Sequence, residues 1–136
     1  MDSIDLSVVW SVSAILLGFQ TVAFSWRIAR EIYMESRGES IWLTAADAVI
    51  AVSMLILIFG VFVLPIVAPV KLDTVVHLLG LSLIRFAGYP FVLAGHYDLY
   101  RRVERPDGRP RFTSQEGVVL AVWEVIILGY LLWWWL

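Results

Sequence analysis

Four long apolar segments alternate with short polar ones along this 136-residue chain. Each apolar segment reaches the roughly 20 residues that an α-helix needs to cross the hydrocarbon core of a bilayer. The segments cover approximately residues 4–28, 42–65, 72–100 and 114–136. We therefore predict an all-α integral membrane protein in which residues 1–136 form one domain, with four transmembrane helices packed as an antiparallel up-down bundle.

The amino-acid composition points the same way. Hydrophobic residues make up 60% of the chain and charged residues 16%, and the mean hydropathy is +0.82, whereas soluble domains contain about 45–50% apolar residues. Four spans leave no length for a separate soluble domain. The first residues, MDSID, are acidic and lack the basic region of a cleavable signal peptide, so we expect the first apolar segment to be retained as a span.

Positive charges concentrate in two of the three connections between the spans. The first connection carries Arg27, Arg30 and Arg37 among three glutamates, an amphipathic pattern typical of a solvated helical face. The second carries only Lys71. The third carries a cluster of five arginines: Arg101, Arg102, Arg105, Arg109 and Arg111. Because arginine-rich connections stay in the cytoplasm, both termini are predicted to lie on the outer side of the cell membrane.

This arginine cluster is also a candidate contact site. A basic segment next to a membrane surface favours anionic lipid headgroups or an acidic partner. Nucleic acid is not an expected partner, because the cluster is short and lies against the membrane.

The third span carries a charge, Arg85, with roughly 13 residues of apolar sequence on each side, which puts it near the bilayer midplane at about 1.5 Å per residue. An unpaired charge at that depth is costly. Glu124, inside the fourth span, lies at a similar depth, and the two spans are joined by a short connection. We therefore predict an ion pair between Arg85 and Glu124. It has two interpretations: a structural pair that sets helix register, or part of a proton or ion relay.

The second span offers another acidic residue near the membrane, Asp47. The pattern Thr44-x-x-Asp47 matches a capping box that starts a helix at Thr44. Alternatively the helix begins near Ile41, and Asp47 then lies within the hydrocarbon, facing Arg85 or titrating. A second capping box, Thr113-x-x-Glu116, is predicted to open the fourth span.

Three further polar residues complete the candidate set. Gln20 lies inside the first span, and together with Asp47 and His77 it forms a possible relay. His77 and His96 lie 19 residues apart on the third helix, nearly 30 Å at about 1.5 Å per residue, so they cannot bind one metal or haem. Capping or interfacial histidines are the favoured interpretation.

The first span also contains a stripe of small residues at spacings of three and four: Ser7, Ser11, Ala14, Gly18, Thr21 and Ser25. In a membrane, such a stripe lets another helix approach closely. It predicts either packing against the protein's own helices or an interface with a partner, and we call it the α1 seam.

No catalytic motif is present, and the chain has no cysteine, so we expect neither an enzyme nor a bound metal or cofactor. The favoured hypothesis is a non-catalytic scaffold or accessory subunit in contact with lipids, further copies of itself or other membrane subunits. The alternative is a small proton or ion channel or transporter that uses Arg85, Glu124 and Asp47. A third hypothesis is a haem, quinone or pigment carrier that binds through His77 or His96.

Overall fold

A computed structural model describes residues 5–37, 44–97, 99 and 112–136. The described chain contains four long helices: α1 (Leu6–Glu35), α2 (Ala45–Val67), α3 (Leu72–His96) and α4 (Ser114–Trp135). Each is long and apolar enough to cross a membrane. The described part of the chain is therefore all-helical, with four candidate membrane spans. The arginine cluster 101–111 lies outside the described residues.

The helix α2 changes its winding along its length. It is α-helical over Ala45–Leu55, π-helical over Ile56–Val63 and α-helical again over Leu64–Val67. Pro65 has no backbone N–H, so it cannot donate the α-helical hydrogen bond to the carbonyl four residues earlier, that of Val61. The indole Nε1 of Trp10 donates to that carbonyl at 3.0 Å. The aromatic side chain of α1 thus supplies a hydrogen bond that the proline cannot make.

The helices alternate in direction, and α3 lies at the centre of the fold. It packs along both α2 and α4, and α1 lies against α2 and α3. The start of α1 meets the end of α2 and the start of α3, in a core formed by Val9, Leu16, Leu57, Val61 and Val75. At the opposite end, Ala46 and Ile50 of α2 pack with Tyr89 and Val92 of α3.

The interface between α3 and α4 places glycines against large residues. Gly80 lies against the phenol of Tyr130, Gly88 against the indole of Trp123, and Gly95 against the backbone of Glu116. The three α4 residues are spaced by seven, so they lie on one helical face. A Cβ added at Gly95 would lie 2.9 Å from the Glu116 Cα atom. These glycines let α3 and α4 approach closely.

Local capping signals set two of the helix starts. Thr44 and Thr113 each make both hydrogen bonds of a capping box, with Asp47 and Glu116 respectively. Since Thr44 has extended backbone angles, α2 does not run back through this residue towards Ile41. At the start of α3, the N-cap residue is Lys71, and Asp73 lies within the first turn.

Candidate functional site

The structure brings together the two charges that lie deepest in the apolar segments. Nη2 of Arg85 lies 3.1 Å from Oε1 and 3.2 Å from Oε2 of Glu124, and Nη1 lies 3.2 Å from Oε1. Both guanidinium nitrogens thus face the carboxylate, a strong arrangement for this kind of pair. The Arg85 side chain is 19% exposed and that of Glu124 is 41% exposed. The pair therefore lies at the surface of the helical assembly rather than in its core.

Trp123 fixes the register of α4 beside this ion pair. Its indole Nε1 donates to the carbonyl oxygen of Ile84 at 2.8 Å, and its ring fills the space next to Gly88. Ile84 and Trp123 immediately precede Arg85 and Glu124 in the chain. The tryptophan contact and the ion pair thus join adjacent positions of the same two helices.

A second polar cluster lies at the end of the fold where α4 begins. Glu116 is fully buried, with Oε2 2.9 Å from Nδ1 of His96 and Oε1 accepting the backbone N–H of Ala45 at 2.9 Å. The hydroxyl of Thr113 donates to the carbonyl of Gly95 at 2.7 Å. Glu116 therefore connects α2, α3 and α4, although its sequence pattern indicates only a local cap.

Asp47 is paired with Arg27, not with Arg85. Nε of Arg27 lies 3.3 Å from Oδ1 of Asp47, and both side chains are about 4% exposed. Glu31 also pairs with Arg27. The expectation that Arg27 belongs to a solvated face is wrong, because its position on α1 turns it towards the start of α2. Asp47 thus keeps its capping role while it also pairs with a charge from another helix.

A third cluster lies between α1, α2 and α3. Nε2 of Gln20 donates to the hydroxyl oxygens of Ser53 at 2.8 Å and Ser82 at 3.3 Å, and all three residues are fully buried. Each serine hydroxyl also donates to the backbone carbonyl of the other serine, at 2.7 and 3.0 Å. Oε1 of Gln20 is buried and has no hydrogen-bond partner. The two serines can be recognised in the sequence only as small residues within apolar spans.

The two histidines lie at opposite ends of α3, as their spacing requires. Nδ1 of His77 lies 3.2 Å from the hydroxyl of Tyr130, and its Nε2 lies 3.5 Å from a carboxylate oxygen of Asp73. Its ring stacks on Trp134 with centroids 5.1 Å apart. Both ring nitrogens of His77 thus have polar neighbours. Among the described residues, no group of three or more potential metal-binding side chains is found.

The three residues of the possible relay do not contact one another. Asp47 contacts Arg27, Gln20 contacts the two serines, and His77 contacts Tyr130 and Asp73. In the part of the chain that the structure describes, the polar groups of the four apolar helices therefore form separate clusters. Any path between these clusters would need water or a change in conformation.

The α1 seam faces outwards. All six of its residues are exposed, whereas the buried residues of α1 are Val9, Ser13, Leu16, Gln20 and Arg27. At about 100° per residue these two sets lie roughly 150° apart around the helix. Burying Gln20 and Arg27, which need polar partners, turns the seam away from the other helices. The interpretation that the seam packs against the protein's own helices is therefore wrong.

Asp5, just before the start of the seam, accepts a hydrogen bond from a residue close to it in the sequence. The hydroxyl of Ser7 donates to Oδ2 of Asp5 at 2.8 Å. This hydrogen bond, with further help from the backbone N–H of Ser7, lowers the pKa of the Asp5 carboxyl group from its usual value. Asp5 therefore stays ionised at neutral pH just before α1 begins.

These features define the class of protein: an all-helical chain with four candidate membrane-spanning helices and polar clusters between them. Comparison of the chain with models of protein families, with curated proteins and with solved structures finds no match. The function must therefore be argued from these residues and their contacts.

Proposed function

We propose that this protein is a non-catalytic integral membrane subunit, which associates through its outer helical faces with further copies of itself or with other membrane proteins. In this proposal it spans the cell membrane four times, with both termini outside and the arginine-bearing connections in the cytoplasm. The arginine distribution supports this orientation.

The observation that carries the proposal is the exposure of the Arg85–Glu124 pair. The Glu124 side chain is 41% exposed, in the middle of a 22-residue apolar helix. A charged side chain at the bilayer centre costs about 3 kcal/mol or more. Pairing lowers this cost, but the exposed part of the Glu124 carboxylate would still face hydrocarbon in an isolated monomer. A neighbouring protein helix that covers the pair would remove this exposure.

The packing of α4 leaves room for such a neighbour. Of the helices described, α4 packs mainly on α3, and only 6% of its most apolar stretch is buried. Apolar residues on its outer face would be stable in lipid, so they do not by themselves require a partner. The exposed part of Glu124 would gain from one, because lipid offers its carboxylate no hydrogen-bond donor beyond those of Arg85.

The α1 seam supplies a second surface of the kind that membrane helices use for association. Its small side chains are exposed, and a Cβ added at Gly18 would meet no atom within 4 Å. A helix from another chain could approach this surface closely, with van der Waals contact and hydrogen bonds accepted by the exposed hydroxyl oxygens. Two outer surfaces, one on α1 and one on α4, suit a scaffold that joins several helices.

Cysteine cross-linking tests this proposal directly, because the natural chain has no cysteine. Single variants Gly18→Cys in the seam and Val125→Cys beside Glu124 are compared in native membranes with Phe59→Cys, an equally accessible site on α2. We expect cross-linked products from the first two positions and not from the third. Equal cross-linking at all three positions would indicate random collision, and a chain that stays monomeric without any cross-linked product would contradict the proposal.

Ion or proton transport is the second candidate. It is favoured by the buried Gln20 cluster, because an unpartnered amide oxygen deep in a helical protein could bind a cation or water. A flux assay in liposomes with the wild-type protein, Glu124→Gln and Gln20→Leu tests it. Flux that is lost in either variant would favour transport over scaffolding, and no flux in the wild-type protein would reject it.

A further inference from the structure

We propose that the groove between α1 and α3, at the arginine-bearing end, binds an anionic phospholipid, with an acyl chain in the groove and the phosphate on Arg30. The groove has a volume of about 340 Å³. Residues from both helices line it, including Ala23, Trp26, Pro90, Leu93, Ala94 and Tyr97.

The shape of the groove follows from its small and rigid residues. Ala23 on α1 and Ala94 on α3 leave space between the two helices, and Pro90 adds a compact ring to the α3 wall. Trp26, which is 77% exposed, forms the outer edge. In a bilayer such an open apolar groove is filled by hydrocarbon, because an empty one would forfeit van der Waals contacts. An acyl chain is therefore the natural occupant.

Filling a groove with hydrocarbon does not by itself select one lipid, since an acyl chain that enters the groove leaves an equally apolar environment among the other lipids. Selection comes from Arg30, whose guanidinium carbon lies 4.4 Å from the centroid of the Tyr97 ring that lines the groove. In this contact the ring holds one face of the guanidinium, while the N–H donors point outwards in the guanidinium plane. These donors suit the oxygens of a phosphate group.

Arg30 also differs from its neighbour Arg27 in its partners. Arg27 is buried and paired with Asp47 and Glu31. Among residues 5–37, 44–97, 99 and 112–136, Arg30 has an aromatic ring rather than a carboxylate as its partner. Within the described residues its charge therefore faces no carboxylate, which suits an anionic ligand.

The position along the helix agrees with a lipid headgroup. Arg30 lies one helical turn beyond Trp26, about 6 Å along the axis. Tryptophan and tyrosine favour the boundary between hydrocarbon and headgroups, so the boundary near Trp26 and Tyr97 puts Arg30 among the phosphates. Anionic lipids are concentrated in the cytoplasmic leaflet, the side to which the arginine-bearing end is assigned.

Native mass spectrometry of the full-length protein, titrated with phosphatidylglycerol or phosphatidylcholine of identical acyl chains, tests this site. Arg30→Gln removes the charge. Arg37→Gln is its matched control, because the Arg37 guanidinium carbon lies 4.7 Å from the centroid of the Tyr33 ring, which is not among the residues that line the groove. Ala23→Leu and Ala94→Leu fill the groove from either wall while Arg30 stays in place. Ala29→Leu, at an exposed site on another face of α1, is the control for added volume.

We expect the wild-type protein to bind phosphatidylglycerol more tightly than phosphatidylcholine. Arg30→Gln should weaken phosphatidylglycerol binding about five-fold, as expected for the loss of one cationic contact, and leave phosphatidylcholine binding unchanged. The two groove-filling variants should weaken the binding of both lipids, and neither control should have an effect. If Arg30→Gln does not fold, the groove-filling variants still test the site.

Equal binding of the two lipids would overturn the proposal, as would equal losses in Arg30→Gln and Arg37→Gln, or unchanged lipid binding after the groove is filled. Inorganic phosphate is titrated in parallel. If phosphate displaces phosphatidylglycerol equally from the wild-type protein and from Ala23→Leu, the anion site does not use the groove. This result would also overturn the proposal.

Discussion

The indole ring of Trp123 occupies the space next to Gly88 that any larger side chain would need. The same indole donates a hydrogen bond to the carbonyl of Ile84, one turn earlier on α3. Since α4 packs mainly on α3, this contact decides how closely the fourth helix is held.

Gly88→Ala should therefore destabilise the protein. The added Cβ would collide with the Trp123 ring, and overpacking of this kind costs about 1–3 kcal/mol. Thermal unfolding in detergent, followed by circular dichroism and tryptophan fluorescence, measures the effect. Gly129→Ala is the control, because a Cβ there meets no atom within 4 Å; equal unfolding temperatures for the two variants would contradict the contact.

The Arg85–Glu124 pair should behave as a unit. Arg85→Leu or Glu124→Leu alone leaves one unpaired charge in an apolar helix, which costs about 3 kcal/mol or more. The double variant removes both charges and should be closer in stability to the wild-type protein than either single variant. A double-mutant cycle of unfolding in lipid bilayers measures this coupling, and additive effects of the two substitutions would show that the charges act independently.

Gln20 should tolerate an apolar replacement better than a charged one. Gln20→Leu removes an amide whose Oε1 has no partner, and Ser53 and Ser82 keep their mutual hydrogen bonds. We expect a loss of stability below about 1 kcal/mol, near the average for hydrogen bonds between membrane helices. Gln20→Glu buries a carboxylate and should cost several times more. Equilibrium unfolding compares them, and a larger loss for leucine than for glutamate would contradict this account.

Glu116 should be the most sensitive of the acidic residues. Glu116→Ala removes the buried partner of His96 and of the Ala45 N–H together with half of a capping box. We expect destabilisation of about 3 kcal/mol, the usual scale for breaking a buried pair. Glu35→Ala, at the exposed end of α1, should change stability by less than about 0.5 kcal/mol. Similar unfolding midpoints for both variants would refute the connecting role of Glu116.

Features that depend on residues close together in the sequence could be predicted from it. The four candidate spans follow from hydropathy, and the capping boxes at Thr44 and Thr113 follow from the spacing of three residues. Arg85 and Glu124 could be singled out because each is a charge within an apolar helix. Their contact also required that α3 and α4 be neighbours, which their short connection favours.

Contacts between distant parts of the chain depended on the tertiary structure. The sequence pattern around Glu116 indicates a cap, but its contact with Ala45 depends on how α2 and α4 meet. The sequence pattern places Arg27 on a solvated face, but the orientation of α1 about its own axis puts this side chain next to Asp47.

The orientation of α1 depends partly on its own sequence and partly on the other helices. Its sequence determined that the helix has a stripe of small residues on one side and Gln20 and Arg27 on the other. Only the packed structure decided which side is buried. The physical reason is that the small residues of the stripe need no partner from another helix, since the hydroxyls of Ser11 and Thr21 donate to carbonyls of α1 itself. An amide and a guanidinium do need such partners, and Ser53, Ser82 and Asp47 supply them.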